Sequence, residues 1–136
     1  MRTYLRRCFY STQVVGKEFE KRVFLLNDQG NRISPWNDIP LKPEVAPANI
    51  FNAVIEIPRY TLAKMEINKK EQYHPIMQDT RKNKFDPTKR ELRFYAQFGT
   101  FNYGCFPQTW ENPLVPNKEV DNLLVNLQRV LPYYSG

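Results

Sequence analysis

The chain has 136 residues, 41% of them hydrophobic and 14% aromatic, which excludes a disordered composition and suits one folded domain. Twenty lysines and arginines against fourteen acids give a net charge of +6, which favours anionic neighbours such as phosphate or RNA. No apolar run approaches the roughly 20 residues of a membrane-spanning helix, so only peripheral membrane proximity stays open. Cys8 and Cys105 are far apart and predict neither a disulfide nor a zinc site.

Residues 1–17 have the composition of a mitochondrial transit peptide. They combine basic and hydroxyl side chains, and no acid precedes Glu18. The basic residues are Arg2, Arg6, Arg7 and Lys17. An ordinary basic tail is the alternative. We therefore expect a mitochondrial protein in which this segment directs import and is kept in the mature chain.

The next part of the sequence predicts one strand and a long connector. Residues 21–26 are mostly apolar and predict a first strand, followed by a turn at 27–30 in which Gly30 suits a positive φ. Residues 34–49 are rich in proline and predict extended, irregular chain.

Two alternating segments follow. Residues 50–57 predict a strand whose apolar positions point inward while Glu56 points outward. The inward positions are Phe51, Ala53, Ile55 and Ile57. The alternation resumes at 64–67 after Pro58. We therefore expect Glu56, Lys64 and Glu66 to share one face of a hairpin-like pair.

The rest of the chain predicts a charged loop, a short strand and a helix. Residues 81–84 are the charged loop and 92–96 the strand; the basic residues interleaved with Phe85, Phe94 and Tyr95 leave an RNA contact open. From residue 117, leucines recur at helical spacing and predict an amphipathic helix over 117–131 that docks on a neighbour.

Two motifs make the chain similar to a known family. One is Glu56-Ile-Pro-Arg-Tyr-Thr-Leu-Ala-Lys-Met-Glu-Ile67, and the other is Asn102-Tyr-Gly-Cys-Phe-Pro-Gln-Thr-Trp-Glu111. Both resemble the soluble inorganic pyrophosphatases of the eukaryotic type. That resemblance runs from about residue 23 to residue 113.

The resemblance implies a set of phosphate-side and metal-side positions. In the family, the first strand pair supplies a Glu, a Lys and a second Glu, which match Glu56, Lys64 and Glu66. The phosphate-contacting arginine matches Arg93 in Glu91-Leu-Arg-Phe94, and the tyrosine of the Asn-Tyr-Gly motif matches Tyr103.

After residue 113 the sequence departs from the family pattern. The family continues to Gly-Asp-Asn-Asp-Pro-Ile-Asp, whose aspartates carry metals, whereas this chain has Val120-Asp-Asn-Leu-Leu-Val-Asn126. Asp121 survives, while Leu123 and Asn126 replace carboxylates that a hard cation such as Mg²⁺ prefers. Later aspartates of the family have no counterpart before Gly136.

The resemblance implies a mainly β, α+β fold: a partial OB-like β-barrel of the inorganic pyrophosphatase type with a C-terminal amphipathic helix. We expect three parts. They are the targeting-like segment 1–17, a truncated pyrophosphatase-like domain 18–116, and the helix and tail 117–136.

The missing carboxylates favour a pseudoenzyme without a cofactor, in which the matched positions and Asp121 are vestigial. We expect a non-catalytic structural subunit whose partners are proteins of a mitochondrial assembly. A respiratory-chain complex is favoured over the mitochondrial ribosome, where rRNA contact is open. Two alternatives remain: a Mg²⁺-dependent inorganic pyrophosphatase that hydrolyses diphosphate to phosphate, and a module that binds phosphate-bearing ligands through Lys64, Arg93 and Tyr103.

Overall fold

The computed structural model describes residues 10–110 and the backbone of residues 131–132. Within these residues the fold is mainly β, as predicted, with eleven short strands and one 3-10 turn at Glu18–Glu20. The strands are β1 (Ser11–Val15), β2 (Arg22–Leu26), β3 (Arg32–Ile33), β4 (Val54–Ile57), β5 (Met65–Ile67), β6 (Ile76–Gln78), β7 (Thr80–Lys82), β8 (Arg90–Leu92), β9 (Tyr103–Cys105), β10 (Thr109–Trp110) and β11 (Leu131–Pro132). The helix predicted over 117–131 lies outside the described residues, except for Leu131, which lies in β11.

The strands form one larger sheet and three two-stranded pairs. The larger sheet has the order β1-β2-β6-β5, with β3 also paired to β2. The pairs are β4 with β9, β7 with β8, and β10 with β11, and every pairing is antiparallel. β1 lies inside the segment 1–17 and pairs along its whole length with β2, from Ser11 opposite Leu26 to Val15 opposite Arg22.

The core beneath these strands is small. Among the described residues, its buried apolar side chains are Phe24 in β2, Ile39 in the connector and Ile57 in β4, together with the fully buried prolines Pro35, Pro75 and Pro107. The connector over 34–53 contains no strand, in agreement with its proline content, and the predicted turn at 27–30 is confirmed because Gly30 has a φ of +79°. An apolar core of this size leaves the position of the polar site to hydrogen bonds and close backbone contacts.

The pairing expected for Glu56 and Lys64 is wrong. β4 pairs with β9, and β5 pairs with β6. Within β4, Ile57 is buried as expected, but the orientation is reversed at the two residues before it, because Ile55 is 41% exposed while Glu56 is only 7% exposed. The pairing of β4 with β9 shifts register between Ile55 and Ile57, and this irregularity interrupts the simple alternation of a flat strand.

Gly104 permits β9 to approach β4 closely. It lies opposite Ile55, and a Cβ atom at this position would overlap the backbone of Val54. Only glycine therefore fits between the two strands without displacing one of them.

We predict that Gly104→Ala lowers the free energy of unfolding by about 1–3 kcal/mol, the usual cost of forcing extra atoms into a packed site. Gly99→Ala is the matched control, because its new Cβ would meet the Phe101 carbonyl oxygen at an ordinary 3.6 Å. Denaturant unfolding of the three proteins measures the difference. Equal stabilities for the Gly104 and Gly99 variants would show that β4 and β9 are not this close.

Candidate functional site

Three backbone segments meet at Lys64, Asp79 and Arg93 in a closed ring of hydrogen bonds. The Lys64 N–H donates to the Arg93 carbonyl (3.1 Å), the Arg93 N–H to the Asp79 carbonyl (2.9 Å), and the Asp79 N–H to the Lys64 carbonyl (2.8 Å). The side chain of Gln78 also donates to the Arg93 carbonyl at 2.7 Å. The ring places three chemically active side chains side by side although they are distant in the sequence.

The side chains repeat this association. Asp79 Oδ2 accepts a hydrogen bond from Lys64 Nζ at 2.8 Å and one from an Arg93 terminal nitrogen at 2.5 Å. Lys64 Nζ also donates to Glu66 Oε1. Because both nitrogens lie within hydrogen-bond distance of one oxygen atom, the two cations are held within about 5 Å of each other.

Partial burial makes the Lys64–Asp79 ion pair stronger than an ordinary surface ion pair. The side chains of Lys64 and Asp79 are 19% and 22% exposed, whereas Arg81 in the pair Arg81–Glu91 is 63% exposed. Exposed pairs contribute only about 0–1 kcal/mol. Charge-assisted hydrogen bonds in less hydrated surroundings are worth more, typically about 1.5–3 kcal/mol.

The electrostatics favour the charged forms of Asp79 and Lys64 at neutral pH. Burial alone would raise the pKa of Asp79, but hydrogen bonds from Lys64, Thr80 and Arg93 hold this pKa below its ordinary value. Burial would likewise lower the pKa of Lys64, and its bonds to Asp79 and Glu66 raise it instead. The site therefore presents two cations around a shared carboxylate.

Glu56 lies beside this cluster in a different environment. Its Oε1 accepts the Ile67 N–H at 2.7 Å, while its buried Oε2 finds no hydrogen-bond donor among the described residues. Burial raises the pKa of Glu56, and repulsion from Glu66 adds to the rise, while the bond from Ile67 and the charge of Lys64 oppose it. Glu56 is the one carboxylate here whose charge is poorly compensated.

Tyr103 and Cys105 border Glu56 on β9. Burial, followed by the charge of Glu56, raises the pKa of Tyr103, so its phenol stays protonated and able to donate a hydrogen bond. The same two causes raise the pKa of Cys105 to about 12. A thiol with this pKa is a poor nucleophile at neutral pH, so Cys105 is a packing residue.

The structure thus brings together the matched positions Glu56, Lys64, Glu66, Arg93 and Tyr103, and Asp121 lies outside the described residues. Sequence reasoning missed Asp79, which contacts both cations. A signal was present, because Asp79 is the only acid between Glu71 and Asp86 and follows a strand-like apolar stretch.

The site also contains carboxylate oxygens of the kind that bind a divalent metal ion. Mg²⁺ prefers oxygen ligands, and Glu56 and Glu66 present two carboxylates of which one has an uncompensated buried oxygen. Within residues 10–110, no three acids, histidines or cysteines are grouped closely enough to enclose a metal ion. The described residues therefore fit one side of a Mg²⁺ site.

Comparison with known proteins identifies the family. The family model for inorganic pyrophosphatase matches residues 53–134. The chain is 42% identical over 105 residues to soluble inorganic pyrophosphatase 6, chloroplastic, of Arabidopsis thaliana, and 43% identical over 106 residues to an inorganic pyrophosphatase of Candida glabrata. These alignments cover 77% and 76% of the chain but only 32% and 36% of the relatives, so the chain spans about a third of their length.

Solved structures agree. The type I inorganic pyrophosphatase of Toxoplasma gondii superposes with a TM-score of 0.70 at 44% identity, over 84% of this chain and 49% of that one. The recombinant enzyme of Trypanosoma brucei brucei gives a TM-score of 0.66 at 32% identity, over 86% of this chain and 37% of that one. The chain belongs to the inorganic pyrophosphatase family and has the OB-like fold of that family.

These findings correct the functional prediction. The relatives are named as inorganic pyrophosphatases, which are enzymes, so the prediction of a non-catalytic structural subunit and pseudoenzyme is wrong. The predicted partners, protein subunits of a respiratory-chain complex or mitochondrial ribosome with its rRNA, are wrong for the same reason. The error came from giving Leu123 and Asn126 more weight than the cluster around Lys64 and Arg93.

One relative is described as chloroplastic, so an organellar location occurs among the relatives, but the findings do not support the mitochondrion in particular. No helix within residues 10–110 and 131–132 is long and apolar enough to cross a bilayer.

We predict that Glu56→Gln stabilises the protein at neutral pH. A glutamate whose pKa is raised above its ordinary 4.5 in the folded state binds its proton more tightly there than in the unfolded state. Stability is therefore lost as the pH rises from about the ordinary value through the raised one, and the neutral amide removes this loss.

Thermal unfolding at pH 4 and pH 7.5, with chelator present, measures the effect. The melting temperature of Glu56→Gln should exceed that of the wild type at pH 7.5 and by less at pH 4. Glu44→Gln, in an exposed part of the connector, is the control and should change neither. A Glu56 variant that is less stable at pH 7.5 would contradict the assignment.

Proposed function

We propose that this chain carries the substrate-binding side of an inorganic pyrophosphatase that hydrolyses diphosphate to two phosphates with Mg²⁺ as cofactor. The observation that carries the proposal is the pair of cations, Lys64 and Arg93, held together on Asp79 beside the carboxylates Glu56 and Glu66. Support also comes from the relatives, which are named for this activity.

The chain's own residues have separate roles in this proposal. Arg93 is 41% exposed and keeps guanidinium donors beyond the one on Asp79, so it binds phosphoryl oxygens from the solvent side. The Lys64 ammonium neutralises the same group as a point charge. Tyr103, protonated at neutral pH, donates a hydrogen bond to a phosphoryl oxygen. Together they hold the diphosphate in place and offset its negative charge.

Glu56 and Glu66 would hold Mg²⁺ with carboxylate oxygens, and Asp121 is proposed as a further ligand. When bound, the metal ion supplies charge neutralisation and a lowered pKa for an attacking water. The uncompensated Oε2 of Glu56 suits this role, because a buried carboxylate oxygen without a donor gains most from a nearby cation.

We also infer an organellar location, with the mitochondrion as the specific compartment. The arginines and absence of acids in residues 1–17 support it, and the chloroplastic relative supports an organelle in general. The proposed parts are this segment, the domain 18–116 and the C-terminal part 117–136. β1 belongs to both the first part and the sheet. Cleavage after import at a site C-terminal to Ser11 would therefore remove part or all of β1 from the sheet.

We predict that Lys64→Ala and Arg93→Ala each lower kcat/KM for diphosphate by roughly 10²–10³, the usual effect of removing one charge-stabilising donor. Phosphate release by the 136-residue chain in excess Mg²⁺ is the measurement. Lys84→Ala removes an exposed cation from the turn between β7 and β8 and should leave the rate unchanged. Wild-type protein that binds diphosphate but releases no phosphate would reduce the proposal to a binding module.

The location prediction is tested with residues 1–17 fused to a fluorescent protein in plant cells, which contain both mitochondria and plastids. We expect mitochondrial fluorescence, and cytosolic fluorescence for the fusion carrying Arg6→Glu and Arg7→Glu, because import signals of this type depend on positive charge. Plastid fluorescence would show that the organelle is the plastid and not the mitochondrion. Cytosolic fluorescence of the wild-type fusion would contradict an organellar location altogether.

A further inference from the structure

We propose that Asp79 is a positioning residue: it fixes the spacing and direction of Lys64 and Arg93 so that both cations meet one phosphoryl group in the transition state. The inference rests on the proposed function and adds to it a residue that touches neither the diphosphate nor the metal ion. It is carried by the contacts of Asp79, which no other described acid duplicates.

Asp79 is held more firmly than a surface carboxylate. Its N–H and carbonyl are both members of the backbone ring with Lys64 and Arg93, so the main chain is fixed on two sides. Its Oδ1 accepts the Thr80 N–H at 2.6 Å, which sets the direction of the carboxylate. Oδ2 is then left to accept both cations.

Lys64 and Arg93 each keep N–H donors that are not used on Asp79, and this supports a positioning role for Asp79. Arg93 uses one terminal nitrogen on Asp79, and a guanidinium has five N–H donors in a fixed plane. Lys64 uses its ammonium on Asp79 and Glu66 and keeps one further donor. The bonds of both cations to Asp79, together with the bond of Lys64 to Glu66, therefore fix where the remaining donors point.

Removing the charge of Asp79 has opposite effects on binding and on turnover. The site without this carboxylate is more positive, so an anionic ligand in its ground state binds equally well or more tightly. The transition state spreads charge over the transferred oxygens and gains most from donors that are already oriented. Cations that have lost their anchor orient only at an entropic cost, so turnover falls.

The kinetic test compares Asp79→Asn and Asp79→Glu with the wild type, measuring kcat and KM for diphosphate in excess Mg²⁺. We expect Asp79→Asn to lower kcat by roughly 10–100-fold while KM stays within about threefold or falls, and Asp79→Glu to recover part of kcat. Asp86→Asn is the control, because Asp86 also caps a turn and pairs with a lysine, Lys89, but lies away from the site. Its kcat should be that of the wild type.

A second readout does not depend on turnover. In ¹⁵N NMR spectra at low temperature, a guanidinium anchored on a carboxylate rotates slowly and gives resolved signals for its terminal nitrogens. The signals of Arg93 are identified as those that disappear in the variant Arg93→Lys. We expect these signals to be resolved in the wild type and in Asp79→Glu and averaged in Asp79→Asn. This holds whether or not the wild type hydrolyses diphosphate, so loss of the proposed function and loss of this inference are separable.

The inference is overturned if Asp79→Asn keeps the wild-type kcat, or if the Arg93 signals are equally resolved in the wild type and this variant. A merely structural carboxylate would give another pattern. In Asp79→Asn, kcat would fall, KM would rise and the melting temperature would drop, and Asp79→Glu would recover none of these losses. That pattern also overturns the inference. Should Asp79→Asn fail to fold, Asp79→Ser takes its place in both measurements, with the same expected and contradicting results.

Discussion

The ring of three backbone hydrogen bonds among Lys64, Asp79 and Arg93 is the constraint on which the site depends. It joins the residue before β5, the residue after β6 and the residue after β8, so three separate strand ends meet at one point. Because the three main chains are adjacent, the side chains of Lys64 and Arg93 both reach the Asp79 carboxylate. A site built this way is fixed by the main chain, which resists displacement better than long cationic side chains alone.

A second constraint sets the other side of the site. Gly104 lets β9 lie against β4, and this contact buries Glu56 while placing Tyr103 near it. The result is a contrast between two carboxylates. Asp79 has several donors and a lowered pKa, whereas Glu56 has one donor and a raised pKa. Environments that separate the pKa values of neighbouring acids are typical of functional sites.

Much of the fold was predictable from the sequence, because composition and alternation indicated short strands and the two motifs indicated the pyrophosphatase barrel. The pairing was not. Alternation over 50–57 and 64–67 suggested one hairpin, but strand pairing is decided by non-local contacts and by the register shift in β4, neither of which a local pattern contains. Burial of Glu56 was missed for the same reason, since a carboxylate in a strand normally marks the solvent face.

The site residues were predictable only where a motif named them. Asp79 has no motif of its own, and its role follows from the ring that unites it with Lys64 and Arg93. The opposite error arose after residue 117, where substitutions at metal positions suggested a protein without catalysis. The absence of a metal-binding carboxylate is strong evidence about that one coordination position. It is weak evidence about the whole activity, because the residues that bind the substrate lie on other strands.

The most direct test of the central claim is a crystal structure of the 136-residue chain with imidodiphosphate, a non-hydrolysable diphosphate analogue, and Mg²⁺. We predict phosphoryl oxygens within about 3 Å of both Lys64 Nζ and the Arg93 guanidinium, with Asp79 still hydrogen-bonded to each cation. An analogue bound away from these two side chains, or a site in which Lys64 and Arg93 no longer share the Asp79 carboxylate, would contradict it.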